Sequence, residues 1–222
     1  MRKLMHNKKP RTTRRGGFTL IELLVVISII ILLVTIIVPS IQNVIQTSYA
    51  TKTQSFIVEL NSGALNYSQQ NNGYYPGQTV LGQIGSGGYT GSQVLAARLF
   101  GYELDDINNE DREPAGGYVT YRKDRLQDID GKPGTIVDAW NIPEPIAYFP
   151  SHPGRQGTDQ FKYGDNSAYF NSGDGSSGDF KSLISQQGFA GGNTPRMDGQ
   201  FLLIAPGIDR KFFQGGDDLK NW

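Results

Sequence analysis

Gly16-Gly17-Phe18-Thr19-Leu20-Ile21-Glu22-Leu23 opens an apolar run that reaches Val38, and how it is read decides the architecture of the chain. Of the 21 residues from Phe18 to Val38 one is charged, Glu22. As a helix the run is about 31 Å long, enough to cross a hydrocarbon core of about 30 Å. A carboxylate at the centre of such a core costs about 2.5–3.5 kcal/mol, so Glu22 needs either a partner or the interface. It lies only about 6 Å in from the start of the run, within reach of snorkelling.

The flanks orient the run. Residues 1–17 hold seven bases (Arg2, Lys3, Lys8, Lys9, Arg11, Arg14, Arg15) and no acids. The formal net charge of zero therefore hides an asymmetry: residues 18–222 carry 14 Lys and Arg against 21 Asp and Glu, a net charge near −7. The positive-inside rule places residues 1–17 in the cytoplasm and the C-terminal part across the membrane. A secretory signal has a shorter apolar region and a small-residue cleavage site behind it. Here Pro39-Ser40-Ile41-Gln42 follows, while the small residues Gly16 and Gly17 come first. A plain signal anchor explains span and orientation, but neither Glu22 nor the two glycines.

The acidic remainder lacks the basic face that phosphate binding needs, so no nucleic-acid partner is expected. With no cysteine in the chain, disulfides and thiolate metal sites are excluded, and a metal would have to be held through oxygen.

Beyond Pro39, which typically kinks or breaks a helix, apolar or aromatic residues recur at Ile41, Ile45, Tyr49, Phe56, Leu60, Ala64 and Tyr67. That spacing predicts an amphipathic stalk helix over residues 39–72, with Gly63 a local weakness of about 1 kcal/mol and Asn71-Asn72-Gly73 its stop. From residue 73 onward the chain is rich in Gly, Tyr, Asn and Asp. A short helix is expected over residues 92–102 with Ser92 as its cap. Strands are expected at Tyr118-Tyr121 (residues 118–121), at residues 145–149 and at residues 200–205. Residues 154–199 read as a long, partly mobile surface excursion, and Asp128-Ile129-Asp130-Gly131 as a turn. Catalytic signals are sparse. With His6 in the leader, His152 is the one histidine beyond it and reads as a surface side chain, and Gly85-Ser86-Gly87-Gly88 reads as a flexible loop.

Gly17-Phe18-Thr19-Leu20-Ile21-Glu22-Leu23 resembles the class III signal of type IV pilins and type II secretion pseudopilins. The resemblance implies a cut by prepilin peptidase between Gly17 and Phe18 and methylation of the new Phe18 amine. It also implies an assembly role for Glu22, whose carboxylate pairs with the Phe18 amine of a neighbouring subunit; snorkelling is the competing account. Two further segments are similar to G-type major pseudopilins. One runs from Asp138-Ala139-Trp140-Asn141-Ile142-Pro143 to Ala147-Tyr148-Phe149. The other is residues 201–209, closing on Gly215-Gly216-Asp217-Asp218-Leu219. The second implies a calcium loop. Asp209, Asp217 and Asp218 offer carboxylates of the kind calcium prefers, and Gly207, Gly215 and Gly216 let carbonyls turn inward. Arg210 stands where the family usually has glycine, and a solvated acidic tail with Asp218 as a cap is the competing account.

The expected fold is therefore α+β and pilin-like: a long N-terminal transmembrane-plus-stalk helix on a small antiparallel sheet with long loops. The expected organisation is a cleaved leader (1–17), a membrane and filament-packing helix (18–38), the stalk (39–72) and an extracytoplasmic domain (73–222). The implied role is a non-enzymatic subunit of a type II secretion pseudopilus in the inner membrane, with a cytoplasmic N-terminus and a periplasmic domain. Its partners would be copies of itself, prepilin peptidase, the assembly platform, other pseudopilins and the membrane. The alternative is a type IV pilus or minor pilin-like subunit whose enlarged domain binds a ligand or surface.

Overall fold

A computed structural model describes residues 17–85, 88–107, 114, 116–187 and 193–222. The basic leader, apart from Gly17, and Ser86-Gly87 of the glycine loop lie outside the described residues. The chain divides into two units, Met1–Ile45 and Gln46–Trp222.

Helix α1, Leu20–Gln70, carries the apolar run and the stalk as one element. It continues through Pro39 instead of ending there, because proline deletes one hydrogen bond of the ladder while the turns on either side remain intact. Within the first unit the apolar side chains from Leu20 to Val38, and Ile41, Val44 and Ile45 after them, are exposed. Among the described residues of this unit, no other element covers them. Among the described residues α1 is the one helix long and apolar enough to cross a membrane.

In the second unit the same helix presents Thr53, Phe56, Ile57, Leu60, Gly63, Ala64 and Ser68 to the core; Phe56, Leu60 and Ala64 belong to the expected stripe, whereas its first members, Ile41 and Ile45, are exposed. Gly63 is a point of close approach as well as a weakness: a Cβ there would lie 2.3 Å from Val119 Cγ2. α1 stops as expected, with Asn72 and Gly73 at positive φ and Gly73 N donating to Ser68 O.

Helix α2, Gly91–Phe100, packs beside α1. Its cap is Thr90 and not Ser92: Thr90 Oγ1 accepts from Gln93 N while Gln93 Oε1 accepts from Thr90 N, a capping box that fixes the first turn. Ser92 is buried and its Oγ accepts from Ile136 N. Strands β1, Leu126–Ile129, and β2, Lys132–Ile136, form a hairpin about Asp130-Gly131, both at positive φ. The acidic-looking DIDG stretch is thus a turn, set by the Asp-Gly pair that such hairpins favour. Residues 118–121 form no strand; Tyr118 N and Val119 N both donate to Leu99 O, so this backbone is pinned to the end of α2.

Strand β3, Ala147–Pro150, pairs antiparallel with β6, Phe201–Ala205, which pairs with β7, Leu219–Lys220. The β3–β6 pair is buried on both faces. Tyr148, Phe201, Leu203 and Ala205 join the core of α1 and α2. Ala147, Phe149, Leu202 and Ile204 join a second core with Phe161, Phe180, Ile184, Phe212 and Phe213. That second core corrects the reading of residues 154–199 as a surface excursion: helix α3, Ser177–Ile184, and the turns before it supply Phe161, Tyr163, Phe170 and Phe180, which bury apolar area against the strand pair. Strands β4, Ser185–Gln187, and β5, Asn193–Pro195, make a small antiparallel pair after α3. The architecture is α+β, a long helix on small antiparallel sheets, as the sequence predicts.

Candidate functional site

The Gly17–Phe18 bond lies ahead of α1, in non-helical backbone, with Phe18 82% exposed. A peptidase can therefore reach it without unwinding the helix. Thr19 is the residue before α1 and Glu22 the third residue in it. Thr19 N and Thr19 Oγ1 donate to Glu22 Oε2 at 2.8 and 2.6 Å, and Glu22 N donates to Thr19 Oγ1 at 3.3 Å. This is a capping box, which satisfies backbone donors at a helix start that has no helical carbonyl to bond. The Thr-x-x-Glu spacing was a sequence signal for it. The carboxylate is thus engaged within its own chain, a role that neither snorkelling nor subunit pairing anticipates.

The second candidate is the loop between β6 and β7. Asp217 Oδ2 accepts from Asp209 N, Asp209 Oδ1 accepts from Lys211 N, and Asp218 Oδ1 accepts from Phe213 N. A Cβ on Gly215 would lie 3.0 Å from Asp209 Oδ2 and 3.2 Å from Asp217 Oδ1, so these two carboxylates converge on a position that only glycine leaves open. Asp217 Oδ1 and Asp218 Oδ2 are buried without a hydrogen-bond partner. Burial pushes the Asp218 carboxyl up to about 6, and the Asp217 and Asp209 charges add to the effect. Orphaned carboxylate oxygens of this kind fit a hard cation with oxygen ligands. Among the described residues, however, no three His, Cys, Asp or Glu side chains form a ready cluster, so carbonyls and water must complete any shell.

Arg210 takes the positive φ of 60° that glycine would adopt at its position. Its side chain pairs with Asp138 Oδ2 through NH1 at 2.5 Å and donates to Ile142 O through NH2 at 2.8 Å. The guanidinium also stacks 5.0 Å from the Trp140 ring centre, and Trp140 in turn packs on Tyr49 of α1. Asp138 is fully buried at its side chain; Trp140 N and Glu144 N donate to its Oδ1. Burial raises its carboxyl above the usual range, against the lowering effect of Arg210. A third loop joins from the other side: Asp174 Oδ1 accepts from Phe212 N, and Gly175 N donates to Phe212 O. These tertiary ties carry no sequence signal.

His152 is not a surface residue. It is 6% exposed, and its Nε2 lies 2.9 Å from Asp165 Oδ2, itself buried.

Residues 12–38 match the prokaryotic N-terminal methylation motif. The match is confined to this N-terminal stretch; it supports a type IV pilin-like character and suggests processing by prepilin peptidase and filament assembly. With the apolar helix, it fits a membrane-anchored, single-pass protein. No curated protein and no solved structure matches the chain.

Proposed function

We propose that this chain is a structural subunit of a type II secretion pseudopilus, nearest to the G-type major pseudopilin. Its leader is cut after Gly17 on the cytoplasmic side, Phe18 is methylated, and the domain stands in the periplasm. Subunits assemble through α1 on an inner-membrane platform, together with other pseudopilins, and extension of the filament drives protein export. The role is mechanical and involves no catalysis. The observation that carries this reading is an exposed, non-helical Gly17–Phe18 bond directly ahead of an apolar helix whose first turn holds Glu22. Mass spectrometry of the processed chain tests it: the first residue should be Phe18 with one added methyl group, and an intact leader in a peptidase-competent host would refute it.

The loop of Asp209, Asp217 and Asp218 is proposed to hold calcium. The orphaned oxygens of Asp217 and Asp218 support this. A bound cation would offset the clustered negative charge and tie β7 to the end of β6. A melt of the chain with calcium and then with chelator tests the site by itself, since Tm should rise with the first and fall with the second.

The second core favours a further reading, a minor pilin-like subunit whose enlarged domain recognises a ligand or surface. Incorporation along the whole filament, seen by labelling, would speak for the major subunit, and incorporation only at one end for the minor one.

A further inference from the structure

The backbone of the loop proposed for calcium includes an arginine, Arg210. Arg210 follows Asp209 directly, and the Asp217 carboxylate accepts from Asp209 N. A guanidinium at that place is always charged and is shaped to chelate carboxylates in pairs. Left free, it would fold back on Asp209 and Asp217 and neutralise them, taking the position a calcium ion needs. In the structure it is held elsewhere, by the buried Asp138 carboxylate, the Ile142 carbonyl and the Trp140 ring. The Asp138 side chain is fully enclosed and its other oxygen is fixed by Trp140 N and Glu144 N, so it is a rigid anchor.

We propose that Asp138 is a positioning residue for cation binding: it sequesters Arg210, an internal competitor, and so keeps the carboxylate loop available to calcium. The inference rests on the calcium reading given above. It also explains how a loop with arginine at a glycine position can still serve a metal. The backbone takes the left-handed conformation, and the charge is exported to a neighbouring loop.

The test is calorimetric titration of calcium chloride into the full-length chain in detergent. Asp138→Asn keeps an oxygen for Trp140 N and Glu144 N but removes the charge that holds Arg210. It is expected to weaken calcium binding by about tenfold or more, as a competing charge a few ångströms from the ion would. Arg210→Gly, which suits the positive φ, should bind at least as tightly as the unchanged chain. The double variant Asp138→Asn/Arg210→Gly should recover the lost affinity, which a purely structural role for Asp138 would not allow. If Asp138→Asn does not fold, Arg210→Gly decides alone, because weaker binding by it means that Arg210 helps the site instead of competing with it. Unchanged affinity in Asp138→Asn, weaker binding in Arg210→Gly, or no recovery in the double variant each overturns this inference while the calcium reading stands. An absence of binding by the unchanged chain overturns both.

Discussion

Thr19 and Glu22 exchange three hydrogen bonds across the start of α1, with one carboxylate oxygen taking both the backbone and the side-chain donor of Thr19. Two roles for Glu22 can therefore be separated. Glu22→Gln retains an oxygen for the cap but no charge. It should leave amide exchange at the start of α1 unchanged while abolishing filament formation. Glu22→Ala should lose both, with faster amide exchange at the helix start. Filaments formed normally by Glu22→Gln would remove the charge-pairing role.

Gly91 opens α2 against β3. A Cβ at Gly91 would lie 1.8 Å from the Tyr148 carbonyl oxygen, and that oxygen also accepts from Asn166 Nδ2 at 2.6 Å. Helix propensity alone makes Gly91→Ala favourable by up to about 1 kcal/mol. The clash with fixed backbone reverses the sign, and a loss of about 1–3 kcal/mol is expected in a denaturant melt.

Replacing Asp165 with alanine leaves the His152 imidazole buried and unpaired. The expected cost is about 1–3 kcal/mol, against less than about 0.5 kcal/mol for a surface site. A fall in Tm of several degrees would report it.

Asp218 titrates near 6 in the fold, above the ordinary carboxylate value of 3.8. A raised folded pKa means that the folded chain binds the proton more tightly than the unfolded one. The resulting stability is fully present below the unfolded value and is lost as pH rises through about 6. Without calcium, the chain should therefore lose on the order of 1–3 kcal/mol between pH 4 and 6 from this group. Asp218→Asn should flatten that part of the Tm profile; an unchanged slope would assign it to other groups.

The elements legible in the sequence are those written in local chemistry. The membrane-length run, the 3–4 spacing of Phe56, Leu60 and Ala64, the stop at Asn72-Gly73 and the Asp-Gly turn each depend on residues within a few positions of one another. Thr90 and Ser92 are competing hydroxyls two residues apart; both are buried, and the tertiary bond from Ile136 N to Ser92 Oγ leaves Thr90 as the cap. Residues 154–199 misled for a different reason. Their aromatic residues are scattered among Gly, Ser and Asp with no period, and they become a core only where the tertiary fold sets them against β3 and β6. The candidate site divides in the same way. Glu22 and the carboxylates were visible as residues, whereas the Asp138–Arg210 tie spans 72 positions and could not be read locally.

The β3–β6 pair is a party wall. Tyr148 and Phe149 are neighbours in sequence yet belong to different cores, and Leu202 and Leu203 divide likewise. Neither core can melt alone without stripping one side of a strand that the other still needs. A slip of one residue in register would exchange the occupants of both. Residues 161–184 are thus bound into the cooperativity of the whole domain, and a mechanical load transmitted to the domain would meet one barrier in place of two weaker ones.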